Sequence, residues 1–374
     1  GPEQMARTVK VANPRPLSCA PTTEAKPPFV DPPKLTAVTP EPICTNDRER
    51  TVNLEGEDFL VVDGQTPTVA VGMNQYPTRK SQCDDSPMEL GDKQVGPSAL
   101  ACESLEFDIP QGDLRHVPHQ VTVYNDEPVG GYTQTADVDL NVVGSPKVAA
   151  LEPKLTCLAE GKRSFRLTGQ NFIVINPDSG MMGGMTKNPS LTVSKTSATA
   201  EIQQVTDCGM AGAGNLPSNA KRCKTIEFTL EDDGATGPAE ITVTNPMPAG
   251  CTSESATLQV AAPPTVSSAE PAQATCNKPN YRRVIVKGQG FLARGKQLPS
   301  VTIGSKTYQS PDKVVAANDC SPAPNVGSGQ LEYCTELVVY APLEDLAEAP
   351  TVSVTNPSPS SCASSNSVNY QACP

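Results

Sequence analysis

Pro33-Lys34-Leu35-Thr36-Ala37-Val38-Thr39-Pro40 (PKLTAVTP) returns over Pro146–Pro153 as PKVAALEP and over Pro264–Pro271 as PTVSSAEP. Each opening leads to a Cys (Cys44, Cys157, Cys276). A strand-like run ending in Gly and Phe follows: VNLEGEDF to Phe59, FRLTGQNF to Phe172, VIVKGQGF to Phe291. The period is about 115 residues, whereas a solenoid unit spans about 20 to 50. It is therefore a domain-sized repeat.

The rest of each repeat keeps its order. A third apolar run (Thr68–Gly72, Leu191–Val193, Val301–Gly304) precedes a Cys, a variable polar insert and a second Cys. A fourth run then alternates cleanly, with Leu105, Phe107 and Ile109 on one side. Ile226, Phe228 and Leu230 match them, as do Leu337, Val339 and Ala341. Period-2 alternation places one face of a strand in a core and the other in water. A fifth run ends VTVYN at Asn125, ITVTN at Asn245 and VSVTN at Asn356. Pro246 and Pro357 then remove an amide donor and stop the strand. A last alternating run (Asp137–Val142, Ala256–Val260) leads into the next Pro-rich joint. No segment sustains a 3.6-residue period. Short strands divided by Gly, Pro and Asn turns predict an all-β chain of antiparallel sandwiches.

The ordered set P-x-x-x-x-x-x-P, G-x-x-F, an alternating strand ending at Pro110 or Pro342, and V-T-V-x-N resembles the IPT/TIG family. These are immunoglobulin-like domains of plexins, some transcription factors, and many bacterial surface and secreted proteins. The resemblance covers residues 33–374, three times over. It implies three tandem immunoglobulin-like (E-set type) sandwiches with expected bounds 33–145, 146–262 and 263–374. Residues 1–32 form an N-terminal piece. There Gly1-Pro2 reads as the scar of a removed tag. VKVANPRPLSC, ending at Cys19, matches ITVTNPMPAGC ending at Cys251 and VSVTNPSPSSC ending at Cys362. The piece thus reads as the tail of a preceding repeat, with a Pro-rich linker as the alternative.

Thirteen Cys recur at corresponding positions without the C-x-x-C pairs of zinc sites. Disulfides, and hence an exported, oxidising setting outside the cell or at its surface, are the expectation. The bracketing pairs Cys83–Cys102, Cys208–Cys223 and Cys320–Cys334 are expected because the same bracket encloses unlike inserts. The outer cysteines admit two schemes, each with six bonds and one orphan. The preferred one joins Cys157–Cys251 and Cys276–Cys362 within repeats and Cys19–Cys44 through the tail. The other crosses the joints as Cys19–Cys44 and Cys251–Cys276, adds Cys362–Cys373, and leaves Cys157 odd.

The net charge of −12 argues against nucleic acid, whose phosphates demand basic patches. No stretch approaches the ~18 apolar residues of a membrane-spanning helix. No N-x-S/T sequon with a permitted middle residue occurs, which favours a bacterial source. The two His, His116 and His119, sit in a Pro-containing turn, and no G-x-S-x-G elbow accompanies them. The acidic runs Asp84-Asp85 with Glu89 and Asp92, and Glu231-Asp232-Asp233-Gly234, lack the EF-hand spacing of a calcium loop. No catalytic, cofactor or metal residue is therefore expected, and the chain reads as a non-enzyme.

For binding, Met181, Met182 and Met185 stand out as adaptable contacts in a Gly-rich loop. The bracketed inserts are a second choice, as loops on a rigid scaffold. The resulting expectation is an extracellular adhesion or interaction array, holding a protein partner or its own copies. The alternative is a set of spacer or glycan-binding domains of a larger secreted enzyme.

Overall fold

The computed structural model describes residues 31–84, 88–89, 98–125, 138–157, 159, 161–176, 185–194, 198–209, 216–231, 236–309, 313–322 and 331–374. Each repeat builds two facing sheets. In the first repeat one sheet runs Lys34–Thr39, Arg50–Val62, Ser98–Ile109 and Arg79–Cys83. The other runs Asn74–Pro77, Thr68–Val71, Pro118–Tyr124 and Asp139–Asn141. The second repeat orders Lys147–Glu152, Arg163–Ile175, Ala220–Glu231 and Thr199–Thr206 against Leu155–Thr156, Ala256–Val260, Gly237–Thr244 and Ser190–Ser194. The third places Thr265–Pro271, Tyr281–Arg294, Leu331–Pro342 and Val314–Asn318 against Lys306–Tyr308, Ser300–Ile303, Thr351–Thr355 and Val368–Asn369. Two short 3-10 turns, Gln273–Thr275 and Leu343–Leu346, are the helical segments among the described residues. The chain is a tandem array of immunoglobulin-like β-sandwiches.

The cores are mostly aliphatic, with three aromatic side chains in each cluster. The alternating residues of the fourth run (Leu105, Phe107, Ile109 and their counterparts) all turn inward and are buried. Each repeat has its own cluster, built around Phe59, Phe172 or Phe291, none of them exposed.

The G-x-x-F motif has a steric cause. A Cβ on Gly169 would lie 2.0 Å from the backbone oxygen of Lys147 and 2.7 Å from Cζ of Phe172. Gly56 and Gly288 are confined in the same way by Lys34 and Thr265. The bare glycine lets the opening strand cross closely while the Phe ring folds beneath it. The residue before each Phe is left-handed: Asp58 (φ 59°), Asn171 (φ 61°) and Gly290 (φ 75°). Those three residue types tolerate that region best. The strand pairing shifts register across this point in every repeat.

The terminal Asn of V-T-V-x-N clamps this kink. Asn245 accepts from the Ile173 amide at 2.9 Å through Oδ1 and donates Nδ2 to the Asn171 carbonyl at 2.9 Å. Asn125 bridges Asp58 and Leu60, and Asn356 bridges Gly290 and Leu292, in the same manner. All three side chains are buried. Losing one strands a buried amide and a buried carbonyl, so Asn245→Ala should cost about 2–4 kcal/mol. Urea denaturation measures it; a loss below about 0.5 kcal/mol, the size of an ordinary surface change, would refute the clamp.

The bracketing bonds Cys83–Cys102, Cys208–Cys223 and Cys320–Cys334 close across the edge of the first sheet. Each second Cys lies opposite the motif Phe: Phe59 pairs with Cys102, Phe172 with Cys223 and Phe291 with Cys334. The staple therefore ties the polar insert directly to the core layer.

Candidate functional site

Two of the three outer bonds make the joints between repeats, the third closes within the last repeat, and neither expected scheme is correct. Cys44 bonds to Cys251, Cys157 to Cys362 and Cys276 to Cys373. This replaces the expected Cys157–Cys251, Cys276–Cys362 and Cys19–Cys44. Cys19 lies outside the described residues, and Cys44 is already bonded. The physical reason is topological. In one sandwich the first loop and the late hairpin sit at opposite ends, so the first loop of a repeat meets the late hairpin of the next.

The first joint is built from both sides. From the first repeat, Ile43 runs parallel to Val142, with Ile43 N–H donating to Asn141 O at 3.0 Å and Val143 N–H to Ile43 O at 2.8 Å. Glu41 secures this segment by accepting from the Asn141 amide at 2.9 Å and from its side chain. Burial raises the Glu41 carboxyl above its ordinary value, the Asn141 hydrogen bonds pull it back, and Asp139 adds to the rise. Cys44 then reaches the turn Pro246–Cys251. Around the bond, Val143, Ile173, Ile175, Leu216, Ala220 and Ala249 close a small apolar core separate from those of the sandwiches.

Arg50 locks this joint. Its Nε donates to Cys44 O and its Nη2 to Ala249 O at 2.8 Å, across the two repeats, while Asp47 lies 3.4 Å from Nη2. The guanidinium is buried, which lowers its pKa, as does the neighbouring Arg48. Asp47 acts in the opposite direction. Arg48 itself points at the Met247 sulfur, 3.7 Å away.

The second joint repeats the plan. Leu155–Thr156 pairs in parallel with Ala256–Val260, Cys157 takes Cys362, and Arg163 Nε donates to Cys157 O at 3.1 Å. Leu155, Ala261 and Leu292 form its apolar core, with Leu331 and Tyr333 against it. In the third repeat the equivalent Arg282 donates to the Lys278 and Tyr281 carbonyls. Cys276 there binds the C-terminal segment, which is held by Tyr370 N–H to Pro350 O and Gln371 N–H to Ala269 O, both 2.9 Å. The sequence pattern did not single out these arginines as joint residues. Their signal was present: Arg50, Arg163 and Arg282 stand at one fixed distance before Phe59, Phe172 and Phe291.

The other residues that the sequence brought forward are dispersed. Met181 and Met182 lie outside the described residues; Met185 is 86% exposed and touches no core cluster. Asp85, Asp92 and Asp232-Asp233-Gly234 also lie outside them, as does the side chain of Glu89. His116 Nε2 is 2.6 Å from Asn46 Oδ1, and His119 Nε2 is 2.9 Å from Arg115 O, so each ring has its own partner. Burial and then Lys147 push His116 below its usual pKa. Tyr76, bonded to Asp113, is pushed up to about 12, first by burial and then by that carboxylate. It keeps its proton at neutral pH. Among the described residues, Cys320, Glu332 and Cys334 cluster closely enough to hold a metal. Both sulfurs are consumed by a disulfide, and a thiolate is what a metal requires. Open clefts occur among the described residues. One of about 580 Å³ is lined by Lys296, Gln309, Asn356 and Ser358, and one of about 610 Å³ by Asn171, Asp207, Arg222 and Lys224.

No protein-family model matches the sequence, and no curated protein matches it. Solved structures do match. The Escherichia coli adhesin FdeC is 12% identical, covering 91% of this chain and 96% of its own, with a TM-score of 0.25. SGBP-B of the Bacteroides ovatus mixed-linkage glucan utilization locus, in complex with a heptasaccharide, is 13% identical, covering 92% and 71%, with a TM-score of 0.19. An ICAM-5 ectodomain fragment is 11% identical, covering 91% and 78%, with a TM-score of 0.21. Likeness at this level carries no argument about function. No helix among the described residues is long and apolar enough to cross a membrane.

Proposed function

We propose that this chain is a non-enzymatic extracellular interaction array, the stalk or adhesive part of a bacterial surface or secreted protein. Its modules, at 33–145, 146–262 and 263–374, belong to the IPT/TIG type, and it holds protein partners or its own copies. The covalent joint carries the reading. A disulfide, a buried Arg50 and a separate apolar core hold successive modules together, which suits presentation of several surfaces in one arrangement. Six disulfides among the described residues fit an oxidising compartment, and the net charge of −12 stands against nucleic acid.

One observation favours glycan as the alternative ligand. Tyr281 and Tyr340 are 39% and 41% exposed, with ring centroids 5.7 Å apart, forming an aromatic surface on the third module. Bead adhesion separates the readings. Beads coated with the oxidised chain should adhere saturably to partner-bearing cells or to one another, unaffected by soluble oligosaccharides. Loss of adhesion with oligosaccharide, and equally with Tyr340→Ala, would select the glycan reading. Absence of adhesion under both conditions would overturn the proposal.

A further inference from the structure

Along the chain the outer cysteines fall in the order 44, 157, 251, 276, 362, 373, and the bonds Cys44–Cys251 and Cys157–Cys362 interleave. A pull on the two ends is carried by the shortest covalent route once weaker contacts yield. That route runs from the N-terminus to Cys44, crosses to Cys251, continues to Cys276, crosses to Cys373, and ends at Pro374. It omits the central strand pairs of every sandwich. Arg50–Val62 with Ser98–Ile109, and Arg163–Ile175 with Ala220–Glu231, lie inside the first covalent loop. Tyr281–Arg294 with Leu331–Pro342 lies inside the Cys276–Cys373 loop. Among the described residues, the strands on the route are Lys34–Thr39, Ala256–Val260 and Thr265–Pro271.

We infer that the array is a tension-bearing tether, in which Cys44–Cys251 and Cys276–Cys373 conduct end-to-end load past the central strand pairs of the sandwiches. Cys157–Cys362 is the reserve path, engaged when Cys44–Cys251 is absent. The route strands themselves are paired into the sandwiches and bury Leu35, Val38, Leu258, Val260, Val266 and Ala269, so load reaches these strands while the central strand pairs inside the covalent loops are spared. The inference goes beyond the interaction reading. It stands on bond connectivity and does not depend on which partner is held.

Single-molecule stretching between peptide handles on residues 1 and 374 tests it. About 70 residues lie on the route, so once its paired strands have yielded the extension of the oxidised chain should stop near about 240 Å, at ~3.5 Å per residue. The fully reduced chain should reach about 1300 Å on the same scale. Cys157→Ser with Cys362→Ser should leave the limit unchanged. Cys44→Ser with Cys251→Ser should move it to about 600 Å, the length of the route through the reserve bond. These limits are covalent and hold whether or not a variant is fully folded. An oxidised parent that extends clearly past about 240 Å, or a Cys157/Cys362 variant that lengthens the limit, would overturn the inference. An adhesion assay without a partner would leave these lengths unaffected.

Discussion

Gly169→Ala is expected to unfold the second sandwich, at a cost of about 3–5 kcal/mol, the upper end of single-substitution effects. The added methyl would sit 2.0 Å from a main-chain oxygen of Lys147 and 2.7 Å from the tip of the Phe172 ring. Neither neighbour yields cheaply. The carbonyl belongs to a strand paired with this one, and the ring is fully buried. Gly209→Ala is the internal control, because its Cβ would meet only Arg222 O at 3.7 Å, an ordinary contact. Equilibrium denaturation of the two variants should differ by more than about 2 kcal/mol. Equal stabilities would show that the opening strand is not pressed against this glycine.

Removing the first joint bond should have a comparable effect by another route. Cys44 and Cys251 are separated by 207 residues. In the chain-entropy treatment, closing so long a loop restricts the unfolded chain by about 5 kcal/mol. The interleaved Cys157–Cys362 bond already restricts part of that loop, so this figure is an upper bound. Cys44→Ser with Cys251→Ser should therefore lower the melting temperature of the first two modules markedly. Cys83→Ser with Cys102→Ser, which opens a 19-residue separation, should cost only about 3 kcal/mol. Calorimetry under oxidising conditions measures both. A joint variant that melts with the parent would mean that Arg50 and the apolar joint suffice without the bond.

These two effects differ in how far the sequence announced them. The glycine was visible as part of a motif occurring three times, and the inward face of the fourth strand could be read from Leu105, Phe107 and Ile109. The bracketing cysteines were readable for the same reason: they are near neighbours in the chain around inserts of unlike content. The Asn of V-T-V-x-N was visible as a residue, but not as the clamp on a kink 64 to 74 positions upstream. Arg50 was legible only as a recurring position. Its partners, the carbonyls of Cys44 and Ala249, come from two different repeats.

Local order along the chain was therefore enough to determine strand alternation, the three-fold repetition, the antiparallel sandwiches and the short disulfides, while their immunoglobulin-like type was implied by the family resemblance. Each depends on residues that meet within one strand, one hairpin or one insert. The outer disulfides were decided by tertiary structure alone. Parity of the cysteines allowed several pairings. The choice rests on which end of one sandwich faces which end of the next, through the buried clusters that hold Val143 and Ala249 in one joint and Leu155 and Leu292 in the other. Those contacts have no period along the chain, because they join surfaces whose meeting depends on the orientation of whole modules.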